Sequence, residues 1–284
     1  MMDLENFNVN PYENLYIYYL EGTPDLIPNG FDDFGFIGNW CEEGSSFLFF
    51  SSAADQAVAE FVAADNRLTL VDSYQMSGEQ WHGEAIESYT TGSLCISPPW
   101  KIPFVNRPGI RHILLDPGVV FGTGRHPTTE ACLVHMEALF VSQPINTVID
   151  IGTGTGLLAL GAAALGCEQV LALDFNLLAV KTTLNNVRIN HFEDRILPIQ
   201  ARGEDYIEML ADLVVANIHY DVMKDLITTP GFLAKPWFIL SGLLRSEALK
   251  VLDSLGNSGA TVLETACPDG VWTTILGKGL PAAP

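Results

Sequence analysis

The sequence predicts an α/β protein in which helices alternate with a mostly parallel sheet ending in an antiparallel hairpin, behind a small N-terminal α+β domain. Three observations carry this. Up to about residue 97 the apolar residues fall in short alternating segments, whereas beyond residue 111 strand-like and helix-like segments take turns. Within residues 147–160, TVIDIGTGTGLLAL, an apolar strand runs into three glycines at every second position and then into a small-residue helix. Near the end, 260–266 and 271–277 read as two consecutive strands with no helix between them.

In chain order, strands fit first at 12–20 (YENLYIYYL), 34–40, 47–51 and 68–74, with the turn-rich GTPDLIPNG and EEGSS between them. One helix lies among them, 53–65 (AADQAVAEFVAAD), with Ser51 and Ser52 as candidate caps. Residues 76–111, which hold Trp81, Trp100 and four prolines, read as a connection. The expected division is therefore a small domain over 1–75, a linker over 76–111 and a larger domain over 112–284. In the larger domain strands fit at 147–151, 170–174, 196–200, 212–218, 236–241, 260–266 and 271–277. Helices fit at about 127–140, 157–165, 177–190, 203–210, 221–228 and 245–256. In such sheets ligands sit beyond the carboxyl ends of the strands, where the strand order reverses.

Composition bounds the function. With 284 residues, 48% hydrophobic, the chain has ample material for two cores. No apolar run approaches the roughly 20 residues that span a bilayer, and the opening MMDLENFNVN is polar and acidic, so a soluble cytoplasmic protein without membrane contact is expected. The five cysteines at 41, 95, 132, 167 and 267 include no CxxC pair, and neither a disulfide nor a metal site is assigned. Residues 1–97 hold 16 acidic side chains against Arg67 alone, a net of −15 out of −20 for the whole chain. Such a surface repels nucleic acid and attracts basic partners; the bland alternative is that it serves solubility alone.

The glycine turn carries the chemistry. Gly152 allows the chain to turn at the strand end, Gly154 allows bare backbone to approach a ligand, and Gly156 allows the next helix to pack closely. The spacing GxGxG is shorter than the GxGxxG dinucleotide fingerprint, which disfavours a nicotinamide dehydrogenase and favours a ligand without phosphates. S-adenosylmethionine fits: Asp174, ending the next strand, would accept the ribose hydroxyls, and Asp150 would face the ammonium end. The competing reading is a glycine-rich bend that binds nothing. A second motif, LLDPGVVFGTGRHPTTEACL at 114–133, sets Gly122 and Gly124 in a compact loop before Pro127, Thr128 and Thr129 begin a helix. That loop could cover a ligand or simply cap a helix, and His126 alone reads as a structural hydrogen-bonder.

These two motifs, with DLVVANI, FILSGLL, WHGEAIESYTTGSLCISPPW and GVWTTILGK, in this order and spacing over roughly residues 80–278, resemble the PrmA family of bacterial methyltransferases that modify protein eleven of the large ribosomal subunit. The resemblance implies a seven-stranded class I methyltransferase (Rossmann-like) domain using S-adenosyl-L-methionine, behind an abbreviated ferredoxin-like domain that recognises the protein substrate. It implies that Gly152, Gly154 and Gly156 form the cofactor turn and Asp174 the ribose contact. Thr123, Gly124 and the backbone from Phe121 to His126 would close over the methionine end, so that Phe121 and His126 join Asn217 as the candidate catalytic set. Asn217 would accept hydrogen bonds from the incoming amine, an amide oxygen being able to orient an amine without holding it as ammonium.

The expected activity is protein N-methylation on lysine or an N-terminal amine, by a monomer, with a basic ribosomal protein as first candidate substrate. Two departures from the family are visible. TPDLIPNG leaves room for a turn at most where the family has a helix, and HYDVM puts His219 and Tyr220 where small apolar residues are expected. A methyltransferase of another protein or of a small molecule therefore stays open, as does a non-catalytic cofactor-binding protein.

Overall fold

The computed structural model describes residues 10–102 and 108–280. The acidic opening of the chain and residues 103–107 of the expected linker lie outside the described residues.

The N-terminal part builds one antiparallel sheet from β1 (Leu15–Glu21), β2 (Phe36–Glu42), β3 (Ser45–Phe50) and β4 (Thr69–Met76), in the order β2-β3-β1-β4. A 3-10 helix at Asn29–Phe34 stands where a ferredoxin-like unit has its first helix. The helix α1 (Asp55–Ala64) starts later than the sequence suggests. Neither Ser51 nor Ser52 caps it: the N-cap is Ala54, whose backbone N–H donates to the buried Tyr18 hydroxyl at 2.8 Å. Tyr18, Leu20, Leu48, Phe50 and Val58 form the core beneath α1, while Leu15, Ile17 and Phe49 face the other way.

The stretch read as a linker is structured where it is described. Ser77 caps α2 (Gly78–His82) through a capping box with Gln80. Beyond it, β5 (Tyr89–Thr91) and β6 (Leu94–Ser97) pair with β7 (Arg111–Leu114) in a three-stranded sheet, β6 and β7 running parallel.

The C-terminal part alternates α3 (Pro127–Ser142), β8 (Thr147–Ile151), α4 (Leu157–Leu165), β9 (Gln169–Asp174), α5 (Leu177–Ile189) and β10 (Ile196–Gln200). It continues through α6 (Gly203–Tyr206), β11 (Leu213–Asn217), α7 (Tyr220–Leu226) and α8 (Pro230–Leu233). β12 (Trp237–Leu244), α9 (Arg245–Asn257), β13 (Thr261–Ala266) and β14 (Trp272–Lys278) complete it. The seven strands lie in the order β10-β9-β8-β11-β12-β14-β13. The first five are parallel and the last two run antiparallel to their neighbours. The chain lays down β9 and β10 on one side of β8 and then crosses to place β11 on the other, so the order reverses between β8 and β11.

Two apolar cores cover the sheet's faces. Leu133, Met136, Leu160, Val170 and Val215 lie on one, and Ile149, Val214, Phe232, Phe238 and Leu240 on the other. Every pair of faces is covered, which is why the parallel strands are nearly continuous in apolar residues. Among the described residues no helix is long and apolar enough to cross a membrane, and no cluster of three His, Cys, Asp or Glu is placed to hold a metal. All five cysteines are free thiols.

Candidate functional site

The glycine turn follows β8. The N–H groups of Gly152 and Thr153 both donate to Leu173 O, at 2.8 and 2.9 Å, folding the turn back onto β9. Gly154 has φ +57°, and a Cβ there would stand 2.4 Å from the carbonyl oxygen of Phe121. Only glycine fits that position, and the backbone it admits is the chain's own covering loop. Gly156 caps α4 at φ +85°, close against Thr183 of α5.

Two carboxylates bracket the turn. Asp150 is fully buried: its Oδ2 accepts from the Thr153 hydroxyl at 2.6 Å and from Ala159 N at 3.2 Å. Its Oδ1 is buried with no hydrogen-bond partner. Burial pushes the Asp150 carboxyl up to about 7, and the nearby Asp174 charge pushes in the same direction. Asp174 is the last residue of β9; its Oδ1 accepts from Asn176 N at 2.9 Å and its Oδ2 from Gly154 N at 3.0 Å. Burial raises this carboxyl too, opposed by those two N–H groups.

The loop before α3 lies over the turn. Thr155 N donates to Phe121 O at 3.2 Å and the Thr155 hydroxyl to Gly122 O at 2.7 Å. The Thr123 hydroxyl donates to Glu84, and the Tyr89 hydroxyl reaches Thr123 O at 3.4 Å. Arg125 sits 5.5 Å above the Tyr89 ring, and Gly124 lies close against Tyr89 and Leu157. His126 caps α3, with Pro127 at the first helical position. Thr128 N stands 3.4 Å from His126 Nδ1 and the Thr128 hydroxyl 2.8 Å from the same nitrogen, tying the ring to the first turn of α3. The His126 ring stands edge-on to Phe121 and Trp272, at 5.7 and 5.2 Å between centroids. Phe121 itself is more than half exposed.

Asn217 ends β11, one residue past the pair Ala216 and Ile151, so it stands beside Gly152. Its Nδ2 donates to the Thr129 hydroxyl at 3.2 Å. Its Oδ1 has no hydrogen-bond partner among the described residues and faces Gly242, where a Cβ would come within 3.2 Å of it. Tyr220, two residues beyond Ile218, is turned to the ammonium groups of Lys224 and Lys250.

The structure thus brings Asp150, Gly152, Gly154, Gly156, Asp174 and Asn217 to one rim, with Phe121, Thr123, Gly124 and His126 arching over it. Sequence reasoning missed Glu84, Tyr89, Thr155 and Trp272, which hold or wall that loop. None carries a local signal, because each meets the loop only through tertiary packing. A cavity of about 280 Å³ lies at the opposite ends of β8 and β9, lined by Thr147, Gln169, Arg195 and Leu210, and takes no part in this site.

A parallel sheet whose order reverses beside a glycine turn, and whose last two strands run antiparallel, is the class I methyltransferase fold. Residues 47–279 match the model of one family of that class, the ribosomal protein L11 methyltransferases (PrmA), and the chain belongs to that family. A ribosomal protein L11 methyltransferase of Alteromonas mediterranea is 36% identical over 190 residues, 65% of this chain and 61% of that relative. This chain thus spans less than two thirds of that relative's length. One from Myxococcus xanthus is 32% identical over 225 residues, 79% of this chain and 76% of the relative. The crystal structure of a ribosomal protein L11 methylase from Lactobacillus delbrueckii subsp. bulgaricus matches 68% of this chain and 100% of its own length, at 26% identity and a TM-score of 0.61.

Proposed function

We propose that the chain is an S-adenosyl-L-methionine-dependent protein N-methyltransferase acting on lysine or N-terminal amines, with ribosomal protein L11 as its first candidate substrate. The observation that carries this reading is Asn217. Thr129 fixes its amide nitrogen, so its oxygen is held as an unpaired acceptor at the switch point. An acceptor in that place suits a neutral amine, which it orients through N–H groups.

Asp150 tests the fit of the cofactor. A buried oxygen without a donor is costly, and Oδ1 of this carboxyl is such an oxygen. An ammonium group answers it. Asp174 would hold the ribose hydroxyls with the acceptor capacity its two backbone bonds leave, Gly152, Gly154 and Gly156 would form the turn, and Thr123 and Gly124 would flank the methionine end. When bound, the cofactor supplies a methyl group already activated on a sulfonium.

The chain's own residues then have three tasks. Asn217 aligns the amine. Phe121, His126 and Trp272 form an aromatic wall beside the rim. His126, its Nδ1 tied to Thr128, positions the loop over the rim. The acidic first third favours a basic protein over nucleic acid as the partner, in keeping with a cytoplasmic ribosomal substrate.

Asn217→Ala should lower methyl transfer about 100-fold with cofactor affinity unchanged, the loss typical of a misplaced nucleophile. Asp174→Ala should instead weaken cofactor binding by about tenfold or more, as expected for a lost charged hydrogen bond. Full activity in both variants, with wild-type cofactor affinity by calorimetry in the second, would remove these assignments. Tritiated methyl transfer into a lysate identifies the acceptor: label in one small basic protein supports the proposal. Label in another protein or a small molecule supports the second reading, which is favoured by the start of the family match at residue 47.

A further inference from the structure

The strand β7 has a neighbour that is not a strand. On one side it pairs with β6, and Leu115, just beyond it, donates its N–H to Ser97 O at 2.9 Å. Leu114 and Asp116, which alternate with Leu115, turn their backbone groups the other way, toward α5. There Asn190 Oδ1 accepts from Leu114 N at 2.8 Å while Asn190 Nδ2 donates to Leu114 O at 2.6 Å. One helical turn earlier Asn186 repeats the pair on Asp116, accepting from its N–H and donating to its carbonyl, both at 2.8 Å. Each side-chain amide thus stands in for the peptide unit of a missing neighbour strand. The spacing allows it: four residues of helix rise about 6 Å, and two residues of extended chain advance about 6.6 Å.

Asn186 does one thing more. Its Nδ2 also donates to Thr155 O at 2.9 Å, inside the glycine turn. Thr155 in turn holds the covering loop, through its N–H on Phe121 O and its hydroxyl on Gly122 O. Asp116, at the root of that loop, also accepts from the Tyr12 hydroxyl at 2.7 Å. Tyr12, Asp116, Asn186 and Thr155 therefore form one chain of hydrogen bonds from the N-terminal part to the turn. Asn186 is fully buried, and its three bonds all go to backbone. Asn190 also makes three bonds, the third to Asn186 O at 2.8 Å, but none of them reaches the turn.

We infer that Asn186 is a positioning residue for the reaction, fixing the root of the covering loop against the glycine turn so that the two walls of the cofactor site keep one separation. It acts through Asp116 and Thr155. Its chemistry suits the task, because a single planar amide meets one N–H and two carbonyls at once. An aspartate would set a carboxylate oxygen against both carbonyls, and an alanine would strip three backbone groups of their partner.

This inference rests on the methyltransferase reading for the identity of the ligand, so it is tested both with and without cofactor. Asn186→Ala and Asn190→Ala each remove three hydrogen bonds to backbone, and their stabilities in denaturant melts should fall alike. By calorimetry, Asn186→Ala should weaken S-adenosyl-L-methionine binding about tenfold, the scale of one or two lost hydrogen bonds, whereas Asn190→Ala should bind like the wild type. In methylation assays KM for the cofactor should rise by the same factor in Asn186→Ala while kcat at saturation is unchanged, a split that a general loss of stability does not produce. In cofactor-free protein, hydrogen exchange should quicken over residues 116–126 and 152–156 in Asn186→Ala, but only over 111–115 in Asn190→Ala. Asn186→Ser, a milder truncation, carries the same comparison if the alanine variant does not fold.

Equal loss of cofactor affinity in the two variants, no loss in either, or a fall in kcat with cofactor KM unchanged overturns the assignment. Wild-type protein that binds no S-adenosyl-L-methionine sinks the methyltransferase reading instead, and the exchange comparison still judges whether Asn186 sets the loop against the turn.

Discussion

Asp150 is the residue whose chemistry is most constrained by its surroundings. Burial pushes its carboxyl up to about 7, and the Asp174 charge adds to the rise, while its Oδ1 is left without a donor. The folded-state value lies above the unfolded one, so ionising Asp150 costs the free protein stability as pH rises from about 4 through 7. A cation held at Oδ1 reverses that cost. Cofactor affinity should therefore fall by up to about tenfold per pH unit below 7, because a proton must leave before the ammonium binds. Asp150→Asn should bind more weakly at pH 8 and lose most of that pH dependence. Calorimetric titration between pH 5.5 and pH 8 checks it, and an unchanged slope in Asp150→Asn would assign the dependence to another group. Part of this was legible in the sequence: an aspartate before GxGxG and another ending the next strand mark the ligand's place. The orphaned Oδ1 was not, because hydrogen-bond satisfaction depends on Thr153 and Ala159 arriving from the turn and from α4. The misplaced cap at Ser51 and Ser52 has the same origin, since the acceptor at Ala54 comes from Tyr18 on another strand.

At the scale of elements, the βα units were legible because each repeats a change of period from strand to helix, and a mostly parallel sheet ending in an antiparallel hairpin follows from them; the strand order does not, because it is set by which strands pair. The three-stranded sheet of β5, β6 and β7 was not, because its strands are 3, 4 and 4 residues long and pair across an intervening segment. Yet this is the sheet that brings Tyr89 beneath the loop carrying Thr123. The loop and the glycine turn act as one element, joined by Thr155 and by the close approach at Gly154. Gly154→Ala should break that union, since the new Cβ would meet Phe121 O in a left-handed backbone. Gly166→Ala is the matched control: φ is +114° but nothing lies within 4 Å of its Cβ. Both should lose roughly 1–2 kcal/mol to backbone strain. Gly154→Ala should lose more stability than the control and, in addition, most of its cofactor affinity. Denaturant melts with cofactor titrations of the two variants measure this, and equal behaviour would show that the loop adapts freely.

The whole molecule is held together by a third apolar core that neither part owns. Tyr12, Leu15, Ile17 and Phe49 of the N-terminal part meet Val119, Val120, Leu178 and Ala179 of the larger one. The seam is also polar: the Tyr12 hydroxyl donates to Asp116 at 2.7 Å and Trp81 Nε1 to Val119 O at 3.0 Å. These contacts grip residues 116–120, directly before Phe121, so the small sheet's position and the loop's position are mechanically joined. Leu178 is the pivot, because Gly38 is packed against it so closely that a Cβ there would stand 2.3 Å from its Cδ1. Removing its side chain should cost about 2–4 kcal/mol, the range for a buried leucine, and most of that cost falls on the seam. Leu178→Ala should therefore turn a single unfolding transition into two, with the N-terminal sheet melting first and residues 77–102 becoming open to protease. Leu240→Ala, inside the larger core alone, should lower stability by a similar amount without splitting the transition. Calorimetry with limited proteolysis distinguishes the two: a single peak in Leu178→Ala would mean that the small sheet and the larger domain are joined by the polar contacts rather than by the shared core.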